Sequence, residues 1–195
     1  GLIWGGSSLN IYSDTKEIRR QIEFMKECQK RIKNILAICW GMQVAVTAAG
    51  GVVNRGKNGA HRGIAHEIII NSDGLNHPIY KDKDKIFNTP AFNYDEVVTL
   101  PKNAILLSSN KINNVMALNF ETEFSKIWGI QYHPEITYEK MITLIKFRRK
   151  RLLENKSFLD EKDLESHITM IENEDKITKK ESRMRELKNW LDLIA

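Results

Sequence analysis

The chain has 195 residues, 42% of them hydrophobic, with 30 Lys and Arg against 25 Asp and Glu for a formal net charge of +5. Length and composition fit one ordinary globular domain with a sizeable core and argue against a disordered chain. Charges of both signs are interspersed, which speaks against a nucleic-acid-binding stripe, and no apolar run is long enough to span a bilayer, so neither nucleic acid nor membrane is expected as a partner.

The chain opens at Gly1-Leu2-Ile3-Trp4, which reads as a buried strand, and runs into Gly5-Gly6-Ser7-Ser8. A glycine pair after a strand permits close backbone approach and positive φ. It serves either as a simple turn or as a backbone N–H donor for an oxyanion, with Gly6 the donor. Opening inside a strand without an initiator Met predicts a fragment or a reduced domain that lacks N-terminal strands. Such a loss would leave unpaired backbone edges and exposed apolar surface. Asp14 is the predicted N-cap of the next element, with Glu17 completing a capping-box pattern. Ile18, Ile22, Met25 and Ile32 follow at roughly helical spacing. This helix should cover one sheet face, with Cys28 as a packing residue.

Asn34 to Ile38 then forms an apolar run that ends abruptly at Cys39. Ala37 and Gly41 flank the cysteine two places away on either side. Met42 to Ala49 is compatible with a helix and is closed by Gly50-Gly51. The pattern is strand, sharp turn, helix, with the thiol at the bend. A nucleophile at such a bend needs small flanking residues, because the strained turn brings neighbouring backbone close. The following amide, that of Trp40, falls at a helix N-terminus, where the dipole favours a thiolate and an oxyanion. The alternative is a buried structural cysteine. Gln43 lies one turn into the helix, facing either the thiol or the helix surface. Two cysteines are too few for a disulfide framework and point to a reducing, cytoplasmic setting.

Val52-Val53 leads into Asn54 to Arg62, rich in glycine and basic residues and read as a solvated turn. His61 and His66 lack metal-ligand spacing, so no metal is expected. Ala65 to Ile70, Ile86 to Pro90, Glu96 to Leu100, Ile105 to Ser108 and Val115 to Phe120 read as strands. His77, in the turn Asn76-His77-Pro78, is read as non-catalytic. Trp128 to Glu135 is a second apolar strand that ends in a polar cluster. His133 and Glu135 are two apart and point to the same side of an extended chain. A carboxylate there holds the imidazole tautomer, and the imidazole takes the proton of Cys39.

Tyr138 to Leu153 reads as an amphipathic helix. Its basic cluster, Arg148-Arg149-Lys150-Arg151, is taken as a solvated helix end favoured by the dipole, with an anionic partner as the alternative. From Ser157 to Ala195, charges alternate with Leu164, Ile168, Ile171, Met184, Leu187, Trp190 and Leu191. This predicts two further helices that pack on the domain or, in a homo-oligomer, on a second copy of the chain. The organisation is thus a main domain over residues 1–153 and a helical extension over 154–195.

Cys39-Trp40-Gly41-Met42-Gln43 followed by Gly50-Gly51, with Gly129-Ile130-Gln131-Tyr132-His133-Pro134-Glu135 downstream, resembles the class I glutamine amidotransferases. Within that family it looks like the glutaminase domain of GMP synthase and stand-alone proteins similar to it. The resemblance covers roughly residues 1–147. It implies an α/β fold, a three-layer open and mostly parallel sheet with flanking helices, extended here by C-terminal helices. It implies a triad of Cys39, His133 and Glu135, an oxyanion hole from the amides of Gly6 and Trp40, and substrate contact by Gln43, with no metal or organic cofactor. The family usually has proline after the glycine pair, where this chain has Ser7. It commonly has His-x-Asp before a valine, where this chain has Asn93 and Asp95. The implied reaction hydrolyses the side-chain amide of glutamine and passes ammonia to a synthetase. No phosphate-binding loop or Ser-Gly-Gly-x-Asp-Ser segment occurs, so that synthetase would be a separate protein. The alternatives are a γ-glutamyl amide or peptide as substrate, and an inactive binding or regulatory module on the same fold.

Overall fold

The run Asn34–Ile38 is a strand whose side chains alternate between the two faces of a sheet, as the two-residue period requires. Ile35 and Ala37 enter one core cluster, and Leu36 and Ile38 enter another. A strand buried on both faces carries no polar alternation, which is why this segment reads as continuously apolar. A computed structural model describes Gly1–Ala195. In chain order the strands are β1 (Leu2–Trp4), β2 (Asn34–Ile38), β3 (Val52–Arg55), β4 (His61–Arg62), β5 (Ala65–Ile70), β6 (Ile86–Thr89), β7 (Phe92–Asn93), β8 (Asp95–Thr99), β9 (Ile105–Ser109), β10 (Ala117–Glu121) and β11 (Lys126–Ile130). The helices are α1 (Lys16–Arg31), α2 (Trp40–Ala48), α3 (Ser72–Leu75), α4 (Tyr138–Phe147), α5 (Arg149–Glu154), α6 (Glu161–Ile177), α7 (Lys180–Arg183) and α8 (Arg185–Ile194).

Seven strands form the main sheet in the order β1-β2-β11-β10-β9-β5-β6. The expected open sheet with flanking helices and a helical C-terminal region is present, and the sheet is mixed. Parallel pairing is confined to β1–β2 and β2–β11. The neighbours from β11 across to β6 pair antiparallel. Chain connectivity accounts for this. The short links between β9, β10 and β11 suit antiparallel neighbours, whereas β1 and β2 are joined through α1 in a crossover. Two small two-stranded sheets, β3–β8 and β4–β7, frame the segment read as a solvated turn over residues 54–62.

Residues of α1 and α2, among them Ile18, Met25, Cys28 and Val46, cover one face of the main sheet. Tyr80 and Trp190 help to cover the other. A third cluster joins α4 to α6 through Tyr138, Ile145, Ile168 and Ile171. The C-terminal helices therefore bury apolar residues against the rest of this same chain. No helix is long and apolar enough to cross a membrane.

Three local expectations change. First, β1 lies at the sheet edge, with Ile3 46% exposed, so it is not a buried strand. Second, Thr15 caps α1: it is extended and its side chain accepts from the amide of Ile18 at 3.4 Å. Asp14 stands one residue too early, at φ 48, and pairs with Arg19 instead. Third, the helix expected over Tyr138 to Leu153 breaks at Arg148, where ψ is 6.

Candidate active site

Cys39 sits where β2 turns into α2, at φ 53 and ψ −107. A non-glycine residue in such a conformation stores strain of about 1–3 kcal/mol and persists only where its surroundings enforce it. Here the Cys39 amide donates to the carbonyl of Ile130 at 2.7 Å, and its carbonyl accepts from the Gln43 amide at 3.1 Å. Gly41 is sterically required. A Cβ at that position would lie 2.1 Å from the carbonyl oxygen of Trp4. Its amide donates to the Gly5 carbonyl at 3.2 Å, tying the bend to the glycine turn after β1. A Cβ on Gly6 would lie 2.9 Å from Cε1 of His133 and 4.0 Å from Cβ of Cys39. The Gly6 backbone thus borders both side chains. The ring of Trp40 is buried and donates through Nε1 to Gln21 at 2.8 Å. Its backbone amide opens α2, where the first amides have no acceptor within the helix.

The second turn follows β11, which runs parallel to β2 with Ile130 opposite Ile38. The glycine turn, the cysteine bend and the histidine turn therefore lie at the C-terminal ends of three adjacent parallel strands. Open α/β sheets place ligands at that end. The His133 amide donates to the carbonyl of Pro90 at 2.8 Å. Nδ1 of His133 lies 2.7 Å from Oε1 of Glu135, leaving Nε2 for the thiol side. Burial alone would lower the pKa of this imidazole. Hydrogen bonding to Cys39 and Glu135, together with their charges, outweighs burial and pushes the pKa up to about 10.

Gln43 is buried beside the thiol and reaches it through a residue the sequence reading did not single out. Its Nε2 donates to Oε1 of Gln131 at 3.3 Å, and Nε2 of Gln131 approaches Sγ of Cys39 at 3.5 Å. The available signal was a polar residue directly after an apolar strand, two places before His133.

The far side of the histidine turn is held by the C-terminal helices. The Arg183 guanidinium donates to the carbonyls of Pro134 and Ile136, the latter at 3.0 Å. Tyr132 donates to Oε1 of Glu186 at 2.7 Å. Glu186 also takes Lys83 at 3.1 Å in an ion pair whose side chains are 1% and 0% exposed. Burial, with the charge of Glu186 behind it, drives the Tyr132 hydroxyl far above its ordinary range. Burial also lowers Lys83, against the pull of Glu186. Arg183 had no sequence signal, since it stands among alternating surface-type charges.

The turns open into a cavity of ≈ 490 Å³. Cys39, His133, Glu135, Gly6 and Gln43 line it together with Asp95, Arg55, Arg148 and Arg151. Asp95 accepts from the Tyr12 hydroxyl at 3.0 Å, and burial raises its carboxyl. Asn93 is turned to internal support. It meets Nδ1 of His61 at 2.9 Å and donates to the Asp95 carbonyl at 3.0 Å. His61 is itself lowered to about 4 by burial. His77 accepts from the Ile79 amide at 3.2 Å, away from the cavity. The basic cluster divides. Arg149 pairs with Glu161 and Glu165, and Lys150 with Glu154, whereas Arg148 and Arg151 line the cavity. The expected solvated helix end is thus half a cavity wall, because the break at Arg148 re-aims the chain.

Residues 11–149 match the family model described as glutamine amidotransferase class-I. The chain belongs to that family. It is 30% identical over 161 residues to gamma-glutamyl-L-1-hydroxyisopropylamide hydrolase from a Pseudomonas species, covering 81% of this chain and 54% of that protein. It is 34% identical over 106 residues to one subunit of the glutamine-hydrolyzing GMP synthase of Methanosarcina acetivorans, covering 54% of this chain and 52% of that subunit. The chain spans about half the length of these curated relatives. A glutamine amidotransferase structure from Thermotoga maritima superposes with TM-score 0.73 at 19% identity, covering 99% of this chain and 76% of that one. At that identity the likeness is one of fold.

Proposed function

We propose that this amidotransferase-family chain is a cysteine amidohydrolase that cleaves the γ-glutamyl amide bond, glutamine being the simplest substrate. The observation that carries the reading is the strained Cys39 bend sharing one buried site with the His133–Glu135 pair. The Cys39 thiolate attacks the amide carbon, and the sulfur–carbon bond forms as the carbonyl oxygen takes the negative charge. The amides of Gly6 and Trp40 receive that oxyanion, each donor contributing about 10²–10³-fold in rate. His133, held as the imidazolium, gives its proton to the departing nitrogen as the carbon–nitrogen bond breaks, releasing ammonia. The now neutral His133 takes a proton from water, whose oxygen displaces the sulfur and frees glutamate. Glu135 holds the ring in place through both halves. Gln43, through Gln131, keeps the sulfur side of the site ordered.

A second reading concerns the amine that leaves. Arg148 and Arg151 line the same cavity as Cys39. The Pseudomonas relative, which matches 81% of this chain, is named for a substituted γ-glutamyl amide. Both features support a γ-glutamyl amide or peptide with a larger leaving amine. If ammonia is the product in use, its acceptor is activated by a separate synthetase, as the likeness to a GMP synthase component suggests.

The test is labelling by a glutamine-derived chloroketone, with ammonia release from glutamine and amine release from γ-glutamyl amides measured in parallel. The proposal expects label on Cys39, none after Cys39→Ala, and turnover of at least one substrate class. Absence of both labelling and turnover would replace it with an inactive binding module.

A further inference from the structure

We infer that Arg148 and Arg151 form a carboxylate subsite for the amine half of the substrate. The chain then prefers γ-glutamyl amino acids and short γ-glutamyl peptides over amides with an uncharged amine. This rests on the reading of Cys39 as the γ-glutamyl site.

The cavity wall carries unmatched positive charge. Arg55, Arg148 and Arg151 all line the cavity, and none has a carboxylate within ion-pair distance. Their neighbours Arg149 and Lys150, on the same helix, are paired outward with Glu161, Glu165 and Glu154. The outer cations are thus matched by acids of α5 and α6, and two arginines are left for the cavity. Arg148 is fixed there, its guanidinium 5.0 Å from the centre of the Phe92 ring. Such stacking leaves the edge of the fork free to bind an anion.

The acids that face the same space do not cancel this charge. Glu135 is engaged by His133 at 2.7 Å. Asp95 takes the Tyr12 hydroxyl on the side where Arg55 stands, with Arg55 4.4 Å from the centre of the Tyr94 ring. Asp95 and Arg55 together suit the ammonium and carboxylate that every γ-glutamyl group carries. That allocation uses one guanidinium. Glutamine has no further anion to offer Arg148 and Arg151, whereas the carboxylate of a γ-glutamyl amino acid supplies one on the leaving side. A guanidinium fork binds a carboxylate with paired, charge-assisted hydrogen bonds, enough for a preference of about tenfold or more.

The experiment measures binding in the full chain carrying Cys39→Ala, by titration calorimetry with γ-glutamylglycine, γ-glutamylethylamide and glutamine. γ-Glutamylglycine is expected to bind about tenfold more tightly than the other two, with the advantage shrinking as salt is raised. Adding Arg148→Gln and Arg151→Gln should remove the advantage. Arg151→Gln alone, at an exposed position that leaves the fold intact, should reduce it by a smaller factor, and Lys150→Gln should keep it whole. Equal affinity for all three ligands in the parent overturns the proposal. So does an equal loss for all three in the double variant, which would assign the arginines to the glutamyl carboxylate. If the unsubstituted chain hydrolyses none of the three while the preference holds, the amidohydrolase reading fails and the subsite stands.

Discussion

The cysteine bend and the histidine turn lie side by side but are held in different ways. The bend is enforced by contact: Gly41 has no room for a Cβ against Trp4, and Cys39 is pinned to Ile130 within the parallel strands. The histidine turn is tethered by polar reach from remote parts of the chain. Pro90 takes its amide, Arg183 takes two of its carbonyls, and Glu186 takes the neighbouring Tyr132. The bend that carries Cys39 therefore adds steric exclusion, which is all-or-none, to its strand-end hydrogen bonds, whereas the turn that carries His133 rests on hydrogen bonds, which weaken by degrees. On the mechanism proposed above, changes at the bend should damage chemistry or fold outright, and changes at the tethers should detune His133 in a protein that still folds.

The sharpest break is Cys39→Ala, which should reduce γ-glutamyl amide hydrolysis by at least about 10³-fold in a folded protein. A steady-state assay with circular dichroism checks both halves. Gly41→Ala should cost about 3 kcal/mol or more, since the new Cβ would overlap backbone that has no side chain to move aside. A urea titration reads it as a lower midpoint. Arg183→Ala should lower kcat about tenfold with little change in KM, in keeping with the loss of charge-assisted hydrogen bonds worth about 1.5–3 kcal/mol. Arg183→Lys should recover only part, because an ammonium does not reproduce the fork. An equal rise in KM would instead place Arg183 on the binding side.

A pH series sharpens the same contrast. The pKa of His133 is raised from 6.5 to about 10 in the folded chain. Its contribution to stability is complete below 6.5, where both folded and unfolded states are protonated. It is lost as pH rises towards about 10, because there the folded state alone holds the proton. Urea midpoints should fall across that window, and Cys39→Ala should flatten the fall, since the sulfur is one of the raising causes. The smallest effect belongs to a purely local contact. Thr15→Ala should cost about 1 kcal/mol, and Asp14→Ala distinctly less, which a thermal melt resolves.

The sequence made the bend legible because its cause is local: an apolar strand, small residues on both flanks and a following helix. It made His133 and Glu135 legible through their spacing and their place after a strand. It did not show what Gln131, Arg183 or Glu186 do, because their meaning lies in partners far away in the chain. Glu186 in isolation is one acid on a charged helix, and only the fold sets it against Lys83 and Tyr132. The cap was missed by one residue because Asp14 and Thr15 are both good capping types, and backbone conformation alone separates them. The basic cluster read as surface because four adjacent cations carry no sign of which ones turn inward. The run of antiparallel pairs beyond β11 follows from connectivity, which hydrophobic pattern does not encode.

The Lys83–Glu186 pair also orders events in time. Synthesis runs from the N-terminus, so Lys83 and Tyr132 leave the ribosome well before α8 does. Until then the lysine lacks the buried carboxylate it pairs with in the fold, and the histidine turn lacks its rear support. A nascent chain would carry Cys39 while the His133 turn is still untethered from behind, and that turn would be fixed only once α7 and α8 have docked.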